Sequence, residues 1–359
     1  MMGILVLEDG TTFEGISIGV PGEIIGEVML NTAVVGYQEI MTDPANAGKI
    51  VVLTYPLVGN YGVAEKFSES QRCWIGGLVI KEKSRTASNW QATDTLDNFL
   101  SQQNVIALSD IDTRTLAVTI RDKGEMMGII GTGDVTKEEA LDKLKSAKGG
   151  LRRSWIKEIS VKSPIKTGES TSGKNIVVLD LGILRSFIRQ LERLNASITL
   201  VPYNTPAEKL LKMKPDGVII SGGPENDDAV PGVAAQVKKM LGQVPILGIS
   251  TGLQIIALAL GCTSKKMKVG HHGVNYPVKS DSSLKGEITV QNHSYVVDDA
   301  TVKTLRDVEI SLRNINDNTI EEMVSQSLKF IGIQYYPACP GFDEVNEVFK
   351  RFFAMIDTK

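Results

Sequence analysis

The chain is poor in histidine and cysteine, with three of each in 359 residues. Cys73, Cys262 and Cys339 lie far apart and form no CxxC pair, which excludes a disulfide framework and a cysteine-based zinc site. Histidine is confined to His271, His272 and His293, so any chemistry that needs an imidazole must draw on these. A strand would point the adjacent His271 and His272 to opposite faces, and no nearby carboxylate repeats at ligand spacing, so no metal site is expected. Neither sign of charge dominates. Lys plus Arg total 39 against 42 Asp plus Glu, a net charge of -3, without the basic excess of a nucleic-acid binder or a membrane-surface helix. No apolar run reaches the roughly 18 residues of a membrane span, and the opening MMGILVLEDG lacks the charged-then-apolar plan of a signal peptide. A soluble, cytoplasmic protein with neither nucleic-acid nor membrane partners is expected.

What is present is a globular composition, 42% apolar and 23% charged, in a length that favours two domains. Residues 1–150 alternate short β-rich runs (4–7, 50–54, 77–80) with turns and a few helical patches. Residues 151–173, rich in Lys, Ser and Gly, read as a linker. Within it, Gly168–Lys174 (GESTSGK) resembles a phosphate-binding loop only superficially. Asn175 stands where Ser or Thr is required, and the segment precedes a strand instead of opening a helix.

From residue 174 the pattern is regular. Asn175–Asp180 reads as an apolar strand, and Ile183, Leu184, Phe187, Ile188, Leu191 and Leu194 follow as one helical stripe. Further strands are expected over 197–201, 217–220 and 244–249, with a helix between the last two and a closing amphipathic helix over 344–356. Thr205-Pro206-Ala207-Glu208 reads as a helix start with Thr205 as the cap. Strands alternating with helices in this way predict an α/β unit built on a parallel sheet covered on both faces.

Chemistry in such sheets sits beyond the carboxyl ends of the strands. Two loops qualify: Ser221-Gly222-Gly223-Pro224-Glu225 and Gly248-Ile249-Ser250-Thr251-Gly252. The second matches the G-x-S-x-G elbow between a strand and an apolar helix, where glycines permit a sharp turn and helix-terminal amides can stabilise an oxyanion. A tight turn of small residues without chemistry fits the pentapeptide equally well. A serine nucleophile also needs a base. The order Ser250, Asp281, His293 would serve a serine hydrolase, although each histidine taken singly is more often structural.

The N-terminal part carries Leu7-Glu8-Asp9-Gly10-Thr11, Gly36-Tyr37-Gln38-Glu39-Ile40-Met41-Thr42-Asp43-Pro44, Leu53-Thr54-Tyr55-Pro56 and Asp110-Ile111-Asp112-Thr113-Arg114. The C-terminal part carries Ser221-Gly222-Gly223-Pro224, Gly248-Ile249, Lys266-Met267-Lys268-Val269-Gly270-His271-His272-Gly273 and Gln291-Asn292-His293. With these motifs, along its whole length, the chain resembles the small, glutaminase subunits of carbamoyl phosphate synthetases. The resemblance implies a mixed α/β N-terminal domain over 1–150 that docks a large partner subunit. After the linker it implies a class I glutamine amidotransferase-like domain over 174–359, with a mostly parallel sheet covered on both faces. Family members hydrolyse glutamine and pass the ammonia to that large subunit, which is where ATP and magnesium are expected; no cofactor is expected on this chain.

The departures from the family fall on the chemistry. Ser250 replaces the nucleophilic Cys of the elbow. In Gln334-Tyr335-Tyr336-Pro337-Ala338-Cys339, Tyr336 stands at the base His and Ala338 at the Glu that orients it. Among the positions that the resemblance assigns to the substrate, Gly223, Gln254 and Asn292 match and Thr251 follows the nucleophile. Ala45 replaces Ser, Glu225 replaces Gly, and Ser294 and Tyr295 replace Gly and Phe. A tyrosine with a pKa of about 10 is neutral at pH 7 and cannot do the work of an imidazole, so loss of glutaminase activity is expected and glutamine binding is doubtful. Cys339, a lone thiol, is not expected to react. A non-hydrolysing glutamine sensor is the remaining alternative.

Overall fold

Seven strands close into a barrel in the first of the two units into which the chain divides, Met1–Arg152 with Lys268–His272. The second unit is Arg153–Met267 with Gly273–Lys359. The structure, a computed structural model, describes residues 1–147, 154–168, 173–280, 286–341 and 344–358.

The barrel strands are β1 (Met2–Leu7), β2 (Thr12–Ser17), β3 (Glu23–Asn31), β4 (Ile50–Leu53), β5 (Gly77–Val79), β6 (Ile106–Ser109) and β7 (Met126–Thr132), in the order β1-β2-β6-β5-β4-β3-β7 and back to β1. Alternation along each strand separates two cores. Leu5, Leu7, Val28, Leu30, Ile50, Val52, Val79 and Leu108 share one cluster. Their neighbours Met29, Val51, Leu78 and Ala107 share another. Helix α1 (Thr113–Lys123) adds Leu116 and Ile120 to the first cluster. Asp112 caps it by accepting from the Thr115 amide at 3.0 Å.

The motif around Gln38 ties this unit together. The Gln38 amide accepts from Ala64 N at 2.9 Å and donates to Ala64 O and Ser68 Oγ, each at 2.8 Å. Burial of the neighbouring Glu39, with Glu69 adding repulsion, pushes its carboxyl up to about 7. Ala45 lies buried on the single turn Pro44–Asn46, where its amide donates to the Asp43 carboxylate at 2.9 Å.

The second unit is built on a ten-stranded sheet. Its strands are β8 (Ile165–Thr167), β9 (Asn175–Asp180), β10 (Ser197–Pro202), β11 (Gly217–Ile220), β12 (Ile246–Ile249), β13 (Ser264–Lys279), β14 (Gly286–Val297), β15 (Glu309–Asn314), β16 (Ile320–Ser325) and β17 (Phe330–Ile333). They run in the order β8-β10-β9-β11-β12-β17-β16-β15-β13-β14. The five from β10 to β17 are mutually parallel, and antiparallel strands extend the sheet on both sides. Val177, Leu179, Val218, Ile220 and Ile246 face one core, which α4 (Val230–Lys238) and α5 (Thr251–Ala259) cover. Ile176, Val178, Ile219, Leu247 and Ile249 face the other, covered by Phe187 and Leu191 of α2 (Arg185–Arg193) and by Val348, Phe349, Phe352 and Ile356 of α6 (Glu347–Asp357). Burial on both faces is why these strands read as continuous apolar runs.

Two local expectations shift. Helix α3 (Ala207–Lys212) begins one residue later than its sequence signal, because Thr205 spends its hydroxyl on Pro202 O at 2.7 Å and Pro206 occupies the cap. The segment expected as linker, 151–173, is folded where it is described. Ile156 is buried in the core with its amide bonded to Asp227, and β8 pairs antiparallel with β10. Most of the GESTSGK segment lies outside the described residues. Among the described residues no helix is long and apolar enough to cross a membrane.

Candidate active site

Strand β12 delivers the chain to Ser250, which adopts φ 53° and ψ -109° before α5 begins at Thr251. A side chain other than glycine rarely takes a positive φ, so this conformation is strained and must be held from outside. Ser250 N donates to Ile333 O at 2.7 Å, and Ser250 O accepts from Leu253 N at 2.9 Å. The flanking glycines are required by space. A Cβ on Gly248 would lie 2.6 Å from Ile256 Cδ1, and one on Gly252 would lie 2.2 Å from Ile220 O. The first amides of α5 have no partner within the helix and carry its positive end, so the elbow can still receive negative charge beside residue 250.

A second loop leaves β17 and carries Tyr336. Its amide donates to Val290 O at 2.8 Å, its ring packs edge-on against Phe187 at 5.6 Å, and its hydroxyl accepts from Asn292 Nδ2 at 3.3 Å. A Cβ placed on Gly222 would lie 3.7 Å from Ser250 Cβ and 3.9 Å from Tyr336 Cε1. The turn after β11, the elbow and the Tyr336 loop therefore meet around Gly222, where a Cβ would make only ordinary van der Waals contacts. Ala338 contributes backbone alone: its carbonyl accepts from Asn346 Nδ2 at 2.9 Å. Cys339 Sγ lies 2.6 Å from Gly341 O and 2.8 Å from Glu344 O, and accepts from Arg193 Nη1 at 3.6 Å.

His293 and His272 are committed elsewhere. His293 is wholly buried, with Nδ1 3.0 Å from Tyr295 O and Nε2 2.8 Å from Gln291 Oε1. Gln291 in turn donates to Glu321 Oε2 at 2.8 Å. Both ring nitrogens thus have oxygen partners, which removes the base that a Ser250 hydrolase would need. Asp281, the acid of that alternative, lies outside the described residues. His272 belongs to the first unit, with Nε2 3.3 Å from Glu125 Oε1.

Of the residues assigned to the substrate, Glu225, Gln254, Ser294 and Tyr295 come together. The loop that carries Glu225 is anchored by Ser221 Oγ, which accepts from Leu181 N at 2.8 Å, and by Thr251 Oγ1, which donates to Gly223 O at 2.6 Å. A Cβ on Gly223 would lie 2.2 Å from Leu181 O, so only glycine passes there. The Glu225 carboxylate then accepts from Gln254 Nε2 at 2.7 Å, Ser294 N at 2.6 Å and Tyr295 N at 3.1 Å. Asn292 instead bonds Tyr336, and Ala45 belongs to the first unit.

A strained residue at a strand-to-helix elbow, with a second loop brought beside it from the neighbouring parallel strand, is the frame of an enzyme class that attacks a carbonyl with a side-chain nucleophile. Residues 177–355 match the family Glutamine amidotransferase class-I, and residues 5–130 match the family Carbamoyl-phosphate synthase small chain, CPSase domain. The chain is 38% identical to the carbamoyl phosphate synthase small chain of Syntrophotalea carbinolica, over 99% of this chain and 98% of that one. It is 40% identical to the pyrimidine-specific small chain of Bacillus subtilis, over 99% and 96% of the two. It is also 40% identical to the small chain of Listeria monocytogenes, over 99% and 97%. The chain belongs to the carbamoyl phosphate synthase small chains, and its second unit is their class I glutamine amidotransferase domain.

Proposed function

We propose that this small chain no longer hydrolyses glutamine and acts as a structural or regulatory partner of a large, ATP- and magnesium-using subunit that consumes free ammonia. The observation that carries the reading is what surrounds Ser250. The group beside it is Tyr336, held by Asn292, and His293 has partners at both ring nitrogens. A hydroxyl without a base is a poor nucleophile toward an amide. Loss of general acid–base catalysis alone removes roughly 10²–10⁴ in rate. The elbow geometry survives, which favours loss of chemistry over loss of fold. Retained Gln254 favours a glutamine sensor, but its amide is already taken by Glu225, so glutamine binding is not expected.

The test is to purify the chain with its native partner and assay carbamoyl phosphate synthesis from ammonia and from glutamine separately. Synthesis from ammonia alone is expected. Efficient synthesis from glutamine with no other amidotransferase present would contradict the proposal.

A further inference from the structure

Three donors from distant parts of the second unit converge on one carboxylate. Gln254 Nε2 and Tyr295 N reach Glu225 Oε1 at 2.7 and 3.1 Å, and Ser294 N reaches Oε2 at 2.6 Å. Two consecutive main-chain amides and a side-chain amide read both oxygens of the group, and hydrogen bonds to an ionised acceptor are roughly twice as strong as neutral ones. The donors sit on regular elements: Ser294 and Tyr295 on β14, Gln254 on α5, where its amide also donates to Tyr295 O at 3.1 Å. Their acceptor comes from a loop and is partly exposed, with its neighbour Asn226 exposed.

We infer that Gln254, Ser294 and Tyr295 form a binding cradle for a small carboxylate, and that the chain's own Glu225 fills it as an internal ligand. The inference rests on the reading above, since these positions are the ones assigned there to the substrate. A free amino acid must then displace a tethered competitor whose effective concentration is on the order of millimolar or above.

Glu225→Ala empties the cradle and leaves its donors in place. Sodium acetate, the head group of the deleted side chain, is titrated against the full-length variant at constant ionic strength, with chloride as control. It should raise the melting temperature saturably, at concentrations at least about tenfold below any effect on the wild type. Adding Gln254→Ala should abolish that shift, and L-glutamine should not shift the wild type. An equal acetate response in wild type and Glu225→Ala, a shift that survives Gln254→Ala, or saturable stabilisation of the wild type by L-glutamine would each overturn the inference. If Glu225→Ala does not fold, Glu225→Gln retains the size but turns an NH2 group toward amide donors. It should melt below the wild type and ignore acetate; an unchanged melting temperature would overturn the inference. Glutamine hydrolysis by the wild type would refute the proposed function. An inactive wild type whose Glu225→Ala variant ignores acetate would refute this inference alone.

Discussion

At Ser250 the backbone is still arranged for chemistry and the side chains around it are not. Restoring a thiol alone should accomplish little, because a cysteine gains nucleophilicity from a neighbouring imidazole or cation and Tyr336 supplies neither. Ser250→Cys, buried and with only the helix-terminal amides of α5 to favour its thiolate, is therefore expected to alkylate slowly at neutral pH. The variant Ser250→Cys/Tyr336→His/Ala338→Glu should react faster at neutral pH, since it regains a base and the group that orients it. Equal reactivity of the two would show that positions 336 and 338 do not play these roles. Glu39, in the first unit, gives a prediction with a definite sign. Its carboxyl is raised from 4.5 to about 7 by burial, so the folded state holds a proton that the unfolded state has released between those values. Stability contributed by this group is fully present below pH 4.5 and lost as pH rises through 7, by an amount on the order of 3 kcal/mol. Glu39→Gln should flatten that fall in urea titrations taken across the window. The elbow was legible in the sequence because its residues are consecutive. The fate of the Glu225 carboxylate was not, because its three partners lie 29, 69 and 70 residues away in the chain.

The elements differ in how much of their structure is written locally. The parallel strands β9, β11 and β12 were readable because burial on both faces makes them short apolar runs between helices. The antiparallel strands β13 and β14 were not, since buried polar residues such as His271, His272, Gln291 and Asn292 interrupt any apolar run. Barrel closure was equally hidden, because it depends on pairing β1 with β7 across the length of the first unit. Glycine content separates two kinds of element site. Gly252→Ala would drive a Cβ to 2.2 Å from Ile220 O, a backbone atom that cannot swing away. It should destabilise by about 2–4 kcal/mol in urea unfolding. At Gly232, on the exposed side of α4, a Cβ meets nothing within 4 Å. Gly232→Ala should stabilise by about 0.5–1 kcal/mol, and a loss there would mean that α4 is not a regular helix at that residue.

At the scale of the whole molecule, the proposed loss of glutaminase activity leaves the fold of both units in place. The family's two domains are both present; Ser250 and Tyr336 flank one point of the second unit, and the loop that carries Glu225 is tied to the elbow through Thr251. A complex that uses free ammonia has a pH signature. The neutral amine is the nucleophile, so activity at fixed total ammonium should rise through the mildly alkaline range. A flat profile there would point to delivery of ammonia from another donor. Ammonia release from L-glutamine by the purified chain is the decisive measurement. No release above the uncatalysed background is expected, and turnover within tenfold of an ordinary amidotransferase would contradict the proposed loss of activity.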